Sequence, residues 1–223
     1  YYDILAAPNS GLMYANTPWS GYYNVQAAIW VTAHTTQFAQ PGWQYLDSAC
    51  GYLPGKGSYV AFKSSSAGDY SIVVETIGAA ATQETMFQIS GGLSTGAVHV
   101  WRSNAKEMFV QLNDIIPKEG AITINLEPES IYSLTTTTGQ EKGTATPPPA
   151  SPFPFPYEEN FDSTGLGKSP KYFADQNGTF EVSSCSGRSG QCLRQVIDKA
   201  PIPWFISPDP LTILGRVDWA DYE

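Results

Sequence analysis

A series of short apolar segments, each bounded by turn-forming residues, most constrains how this chain can fold. Seven such segments follow one another from GSYVAFKS and DYSIVVETI, which SSAG separates, to IYSLTTTT near residue 138. They are rich in β-branched and aromatic residues, and Gly, Asn, Asp and Pro fill the gaps, as expected for strands joined by tight turns. The pattern predicts a mainly β protein built around an antiparallel β-sandwich.

One helix is expected before these strands. In residues 25–39, VQAAIWVTAHTTQFA, apolar side chains recur at a spacing that approximates one helical face. The QPG at residues 40–42 should end this helix, because proline cannot continue it.

A change of composition marks a linker and a second domain. The segment that begins with GQEKGTATPPPASPFPFP is rich in proline and lacks any period, so it should be extended. Strand-like runs resume in KYFADQNGTFEVS, CLRQVI and LTILG. We therefore expect four regions, which are residues 1–42, a β-sandwich at 43–138, the linker at 139–156 and the opening part of a second β domain at 157–223.

Composition argues against several classes of function. The net charge of −9 and the pI of about 4.6 disfavour nucleic-acid binding. No run of 18 apolar residues is present, so no transmembrane segment is expected. His34 and His99 are isolated from other ligand-type residues, and no P-loop or G-x-G-x-x-G motif occurs, so we expect neither a metal nor a cofactor. His34 is expected to be a packed or capping residue in the helix.

The cysteines and one sequon favour a secretory compartment. Cys185 and Cys192 flank the short loop SGRSGQ, where a disulfide could close a hairpin, although two reduced thiols are the alternative. Asn177 begins the glycosylation sequon NGT, and Cys50 would remain free. The first residues, YYDILAAP, contain no initiator Met or basic region, and both ends of the chain are expected to be cuts.

Carboxylates for acid–base chemistry are present but cannot be paired from sequence. Glycoside hydrolysis needs two of them facing each other across a sugar. Glu75 ends the IVVET strand and could point into a cleft, but a solvated residue at a strand edge is the favoured interpretation. The candidates are Glu75, Glu84, Glu107, Glu127, Glu129, Glu158, Glu159 and Asp162.

The loop NTPWSGYYNV at residues 16–25 concentrates aromatic side chains between Pro18 and Gly21. Its rings could be pinned beneath the loop or displayed to a ligand. Aromatic faces stack on the C–H faces of sugars, and Trp19, which has small neighbours, is the candidate for such a contact.

The stretch from SGLMYANTPWSGYYN to TAHTTQFAQPGWQYLD resembles glycoside hydrolase family 59, and KGSYVAF, SIVVET, SLTTTTG, FADQNGTFE and LRQV follow in the order of that family. The resemblance implies a TIM barrel, then a β-sandwich, then a lectin-like β domain. Tyr1–Leu5 would be the end of the last barrel strand, residues 6–24 its βα loop and residues 25–39 the last barrel helix. Loops of this kind form the active-site face of a barrel.

The resemblance also implies a function, that of a galactosylceramidase-type β-galactosidase. Such a retaining enzyme would remove β-linked galactose from galactosylceramide or a related galactolipid, in a lysosomal or secreted setting and with a lipid-presenting activator protein as a partner. Trp19, Ser20 and Tyr22 would contact the substrate, whereas the two catalytic glutamates would precede residue 1 and leave this chain inactive alone.

One departure from the family bears on the substrate. The animal enzymes of the family carry a Cys-containing loop with a sugar-contacting Arg after the strand that resembles IVVET, and IGAAATQETMFQIS contains neither residue. Which galactolipid or β-galactoside is cleaved therefore stays open. The alternative function is a non-catalytic carbohydrate-binding β-sandwich module.

Overall fold

The computed structural model describes residues 11–199, 209–216 and 219–220, which form two compact units. The sandwich unit comprises Val25–Ala145 with the residues just before Met13, and the C-terminal unit comprises Met13–Asn24 with the described residues from Thr146 onward. The predicted barrel strand at Tyr1–Leu5 lies outside the described residues. The helices in the described ranges are all too short or too polar to cross a bilayer.

The sandwich unit contains a long antiparallel sheet and a two-stranded ribbon. After β1 (Met13–Tyr14) and β2 (Asn24–Val25), the elements are α1 (Ala27–Thr36), β3 (Gln44–Tyr45), β4 (Gly51–Tyr52), β5 (Ser58–Lys63), β6 (Tyr70–Glu75), β7 (Gln83–Gln88), β8 (His99–Ser103), β9 (Val110–Gln111), β10 (Ala121–Leu126) and β11 (Ile131–Thr135). In the sheet, the strand order is β3-β5-β6-β11-β8-β9, with β4 paired to β5, while β7 and β10 form the ribbon. The prediction of a mainly β, antiparallel fold is confirmed.

The ribbon covers one face of the sheet and closes an apolar core. Alternate residues of the central strands point to this face because side chains alternate along a strand. Leu134 of β11 lies opposite Ile72 of β6 and Val100 of β8, and all three are buried. Ile122 and Leu126 of β10 complete the core from the ribbon and are fully buried.

Helix α1 covers the opposite face of the same sheet. Its buried residues Ala33 and His34, with Phe38 just beyond its end, pack against Trp101 and Phe109. The helix is shorter than the predicted 25–39: it begins after Gln26, which provides no side-chain cap, and it ends at Thr36, before Pro41.

The C-terminal unit consists of shorter strands. Two of them, β1 and β2, flank a 3-10 turn at Pro18–Ser20, and β2 extends one residue beyond this unit. The later strands are β12 (Ala174–Asn177), β13 (Phe180–Ser184), β14 (Gln191–Gln195) and β15 (Leu211–Ile213). Of these, β12 pairs with β15, and β13 pairs with β14. The barrel and lectin-like assignments, like the four domain boundaries, stay predictions.

Candidate functional site

The loop that carries Trp19 is held in shape by its own polar groups. Ser20 is only 4% exposed, and its Oγ accepts hydrogen bonds from the Tyr22 N–H (3.1 Å) and the Thr17 hydroxyl (3.1 Å). Gly21 follows with φ +77°, a left-handed conformation that a side chain would strain. In this structure the Ser20 hydroxyl is therefore used to shape the loop.

Trp19 is half-buried and packs against other aromatic rings of the C-terminal unit. Its ring meets Phe153 edge-on, with centroids 5.6 Å apart, and lies 6.0 Å from Trp219. The Ser151 N–H donates to the Ser20 carbonyl (2.9 Å), which ties the proline-rich segment to the loop. One part of the indole thus packs against other aromatic side chains, and this packing fixes the orientation in which the ring can contact a ligand.

A small pocket opens beside Trp19. It has a volume of about 280 Å³, just below the range of roughly 300–1,000 Å³ that is usual for small-molecule sites. Its lining residues are Trp19, Gly21, Lys171, Tyr172 and Phe173. The structure therefore brings one predicted site residue to a pocket whose other wall comes from the start of the second β domain.

The segment Lys171–Phe173 was not predicted as part of a site. It lies about 150 residues after Trp19 in the chain, and no short motif connects the two segments. The one local signal is the run of a cation and two aromatic residues, KYF, directly before β12.

Tyr22 and Trp19 have different environments. The Tyr22 side chain is 39% exposed, and its hydroxyl donates to Asn24 Oδ1 over 2.7 Å. Tyr22 does not line the pocket beside Trp19. Its role as a substrate contact stays a prediction.

Most of the candidate carboxylates are engaged in structural contacts. Glu75 accepts hydrogen bonds from the Ser58 hydroxyl (2.7 Å) and the Ile77 N–H (2.8 Å), and Glu129 accepts one from the Gly78 N–H (2.7 Å). Both glutamates also line an apolar groove of about 380 Å³ beside α1. Glu84 and Glu158 are exposed.

Four further carboxylates are engaged in contacts within their own units. Glu107 and Glu127 pair with the two terminal nitrogens of Arg102, the second at 2.9 Å. Glu159 accepts from the Phe161 N–H (2.6 Å), and Asp162 accepts from the Gln191 N–H (3.0 Å). Most of the candidate carboxylates thus stabilise turns or bind Arg102.

His34 is buried in the sandwich unit, as a packed residue should be. Its Nδ1 and Nε2 lie 2.8 Å from the hydroxyls of Ser133 and Ser103. Burial lowers the pKa of His34 to about 4, so the ring is neutral at pH 7. Among the described residues, no three His, Cys, Asp or Glu side chains gather where they could hold a metal ion.

The structure contains the predicted disulfide between Cys185 and Cys192, which links the ends of the loop between β13 and β14. Cys50 is free. Asn177, the sequon residue, ends β12 and its side-chain amide donates to the Asp209 carbonyl over 3.1 Å.

Comparison with known proteins gives consistent matches along the chain. The model described as "Glycosyl hydrolase family 59" matches residues 1–37, and the model described as "Glycosyl hydrolase family 59 central domain" matches residues 45–141. Together the two matches span more than half of the chain.

Full-length relatives agree with the family models. The galactocerebrosidase of Danio rerio is 34% identical over 249 residues, and that of Homo sapiens is 33% identical over 250. Each alignment covers 99% of this chain and 36–37% of the relative, so the chain spans little more than a third of their length.

Among solved structures, the chain is similar to a glycoside hydrolase family 30 subfamily 8 xylanase, Xyn30A, from Clostridium acetobutylicum. The TM-score is 0.49 at 16% identity, over 58% of this chain and 31% of the xylanase. A GH30 endoxylanase from Clostridium papyrosolvens matches with a TM-score of 0.43 at 18% identity, over 50% of this chain and 28% of that chain.

Proposed function

This chain belongs to glycosyl hydrolase family 59, and we propose that its parent protein is a retaining β-galactosidase of the galactosylceramidase type. The observation that carries the proposal is the identity of about a third with galactocerebrosidases across 99% of the chain. The substrate class is a β-galactoside, and the physiological form is a galactolipid such as galactosylceramide.

In this proposal, the chain supplies part of the sugar-binding surface, and the catalytic pair comes from residues of the parent outside it. Retaining hydrolysis needs two carboxyl groups about 5–5.5 Å apart, one as nucleophile and one as acid and base. The structural engagement of Glu75, Glu107, Glu127 and Glu129 supports this division, because a carboxylate committed to a turn or an arginine is poorly suited to either role. The chain alone should therefore be inactive.

Trp19 is the proposed galactose contact. Its indole stacks on the C–H face of the sugar, whose slightly positive hydrogens meet the negative face of the ring. The packing of Trp19 against Phe153 supports this role by fixing the ring before the sugar arrives. Ser20 contributes by holding the loop, and Tyr22 contributes at its exposed side.

The proposed domain plan follows the boundaries given above, with residues 1–42 from a TIM barrel, a sandwich to 138 and a lectin-like domain from 157. The family 59 match at residues 1–37 and the central-domain match at 45–141 support the first two boundaries. The Cys185–Cys192 disulfide and the sequon at Asn177 support a secretory route, lysosomal or extracellular. A lipid-presenting activator protein would deliver an insoluble galactolipid.

The test is kinetic and uses the full-length parent. Hydrolysis of a chromogenic β-galactoside should be measurable, and Trp19→Ala should lower kcat/KM by roughly five- to tenfold, from about 1 kcal/mol or more of lost ring contact. The melting temperature should change little. Trp43→Ala is the matched control, because Trp43 is also half-buried but lies outside the pocket.

Two outcomes would contradict the proposal. If the parent binds galactose but never hydrolyses a galactoside, the protein is a carbohydrate-binding module. If Trp19→Ala lowers the melting temperature and leaves kcat/KM unchanged, Trp19 serves only the packing of its unit.

A further inference from the structure

We infer that the disulfide between Cys185 and Cys192 is a site of thiol–disulfide exchange with dithiol reductants, and that Arg188 makes its sulfurs good leaving groups. The inference stands apart from the proposed function, because it concerns covalent chemistry in the β13–β14 hairpin and not the sugar site. It gives the loop between the two cysteines a role beyond closing that hairpin.

The guanidinium group of Arg188 lies against both sulfur atoms of the disulfide. Its Nε donates to Cys185 Sγ over 3.3 Å, and its Nη2 donates to Cys192 Sγ over 3.2 Å. The two cysteines are seven positions apart, and Arg188 lies between them in the exposed segment at residues 186–190. One side chain of the enclosed loop thus contacts both ends of the bond that closes the loop.

A guanidinium group in this position favours the reduced form of the pair. The sulfur of a disulfide is neutral and accepts hydrogen bonds weakly, whereas a thiolate is ionised, and hydrogen bonds to an ionised acceptor are stronger. A neighbouring arginine lowers the pKa of a cysteine thiol, and a thiol of lower pKa leaves faster in exchange reactions. Because Arg188 contacts both sulfurs, the displaced sulfur becomes a thiolate beside a positive charge, whichever cysteine is attacked.

The proposed exchange takes place in two displacements. The thiolate of the reductant attacks one cysteine sulfur, a mixed disulfide forms, and the other cysteine leaves as a thiolate. The second thiol of the reductant then loses its proton and attacks the reductant's own sulfur in the mixed disulfide, which releases the first cysteine. In sum, the protein gains two electrons and two protons as two thiols, and the dithiol loses them as it closes to a disulfide.

The β13–β14 hairpin has other contacts that hold its strands together. The strands pair at five successive positions, and the Cys185 N–H donates to the Gly190 carbonyl over 3.2 Å. Val182 in the middle of β13 is fully buried, and its backbone forms hydrogen bonds with Gly167 and Lys168. Because the two cysteines enclose so few residues, opening their bond releases a short exposed loop while the strands stay paired.

The experiment measures the rate at which dithiothreitol reduces this disulfide in the 223-residue chain. Thiols are trapped with N-ethylmaleimide, and peptide mass spectrometry separates Cys185 and Cys192 from the free Cys50. Arg188→Met, which keeps an unbranched side chain and removes the charge, should slow the reduction roughly two- to fivefold, the size expected for an exposed charge contact. The difference from wild type should shrink in 1 M salt, which screens such contacts.

Arg194→Met is the matched control, because Arg194 is an exposed arginine of β14 and its loss changes the net charge equally. This variant should be reduced at the wild-type rate. Equal rates in wild type and Arg188→Met, or an equal slowing in Arg194→Met, overturn the role of Arg188. Faster reduction of Arg188→Met shows that the arginine shields the bond and contradicts the inference. A disulfide that dithiothreitol opens only in urea contradicts the exchange site itself, and none of these results bears on the sugar site.

Discussion

The two faces of the seven-stranded sheet are buried in different ways. The face toward the ribbon is apolar, with Tyr132 and Leu134 of β11 against Ile72 and Val74 of β6. The face toward α1 carries small polar residues on β6, β8 and β11, namely Ser71, Ser103, Ser133 and Thr135, and all are at most 2% exposed. The first face is therefore stabilised by apolar burial, whereas the face toward α1, called the polar face below, combines the aromatic cluster of Phe38, Trp101 and Phe109 with buried hydrogen bonds.

The polar face fixes the protonation state of His34. The Ser133 hydroxyl donates to the His34 carbonyl (2.8 Å), so its oxygen can only accept from the ring, and Nδ1 must carry the proton. Nε2 then accepts from the Ser103 hydroxyl, whose oxygen in turn accepts from the Phe109 N–H (2.8 Å). Every polar atom of this chain of contacts has a partner only while the ring is neutral. The polar face thus ties α1 to the sheet with a defined geometry and a defined charge.

The largest expected effect is on the apolar face. Leu134→Ala should lower the free energy of unfolding by about 2–5 kcal/mol, because it removes buried methyl groups and leaves a cavity. Urea unfolding of the full chain measures this change. Ser71→Ala, on the opposite face, should cost less, because no large volume is lost and its partner Thr135 Oγ1 keeps a bond to the Tyr70 carbonyl. If Ser71→Ala costs as much as Leu134→Ala, the two faces do not differ as argued.

The second effect is a pH dependence of the free energy of unfolding, which arises from His34 on the polar face. The folded pKa of His34, about 4, is below its unfolded value of about 6.5. As pH falls, the unfolded chain takes up the proton first. The stabilisation that comes from keeping the His34 ring neutral is therefore complete above pH 6.5, declines between pH 6.5 and 4, and is lost below. The linkage predicts a decrease of roughly 3 kcal/mol across this window.

His34→Gln isolates this dependence from carboxylates that also titrate near pH 4. The difference in unfolding free energy between wild type and His34→Gln should shrink as pH falls from 6.5 to 4. An NMR titration of the His34 ring in the wild-type chain gives an independent readout. A midpoint near 6.5 would show that the polar face tolerates the charged ring.

Sequence patterns could predict the strands but not the difference between the two faces. Segments such as GSYVAFKS and IYSLTTTT contain β5 and β11, because β-branched residues between turn signals are a local feature. In β6 and β11 the small hydroxyl residues between apolar ones indicate a solvent-facing side in an ordinary sheet. Their burial depends on α1, which lies about 100 residues before β11. The pocket wall at Lys171–Phe173 was missed for the same reason, since contacts between distant segments leave no local pattern.

A third effect compares two buried serines of the polar face. Ser103→Ala leaves His34 Nε2 and the Phe109 N–H without partners, and each buried orphan costs about 1–3 kcal/mol. Phe109 also has φ +52°, which the bond to Ser103 helps to maintain. Ser71→Ala is the matched control, since its partner Thr135 Oγ1 keeps a bond to the Tyr70 carbonyl. Equal losses of unfolding free energy in the two variants would contradict the hydrogen-bond argument.

The smallest effect lies at the outer edge of the polar face, where Lys142 covers Trp30. The Lys142 Nζ is 4.9 Å from the Trp30 ring centroid and donates to the Met108 carbonyl over 2.6 Å, while Trp30 stacks on Phe109 at 5.8 Å. Lys142→Met keeps an apolar cover but removes the charge, so it should lower the free energy of unfolding by about 0.5–1 kcal/mol, as exposed cation–π contacts do. Lys106→Met, at an exposed lysine of the same unit, should change it by less. Lys142→Arg should retain most of the stability, because a guanidinium also stacks on an indole. A Lys142→Met variant as stable as wild type would show that the helix edge is covered by apolar contact alone.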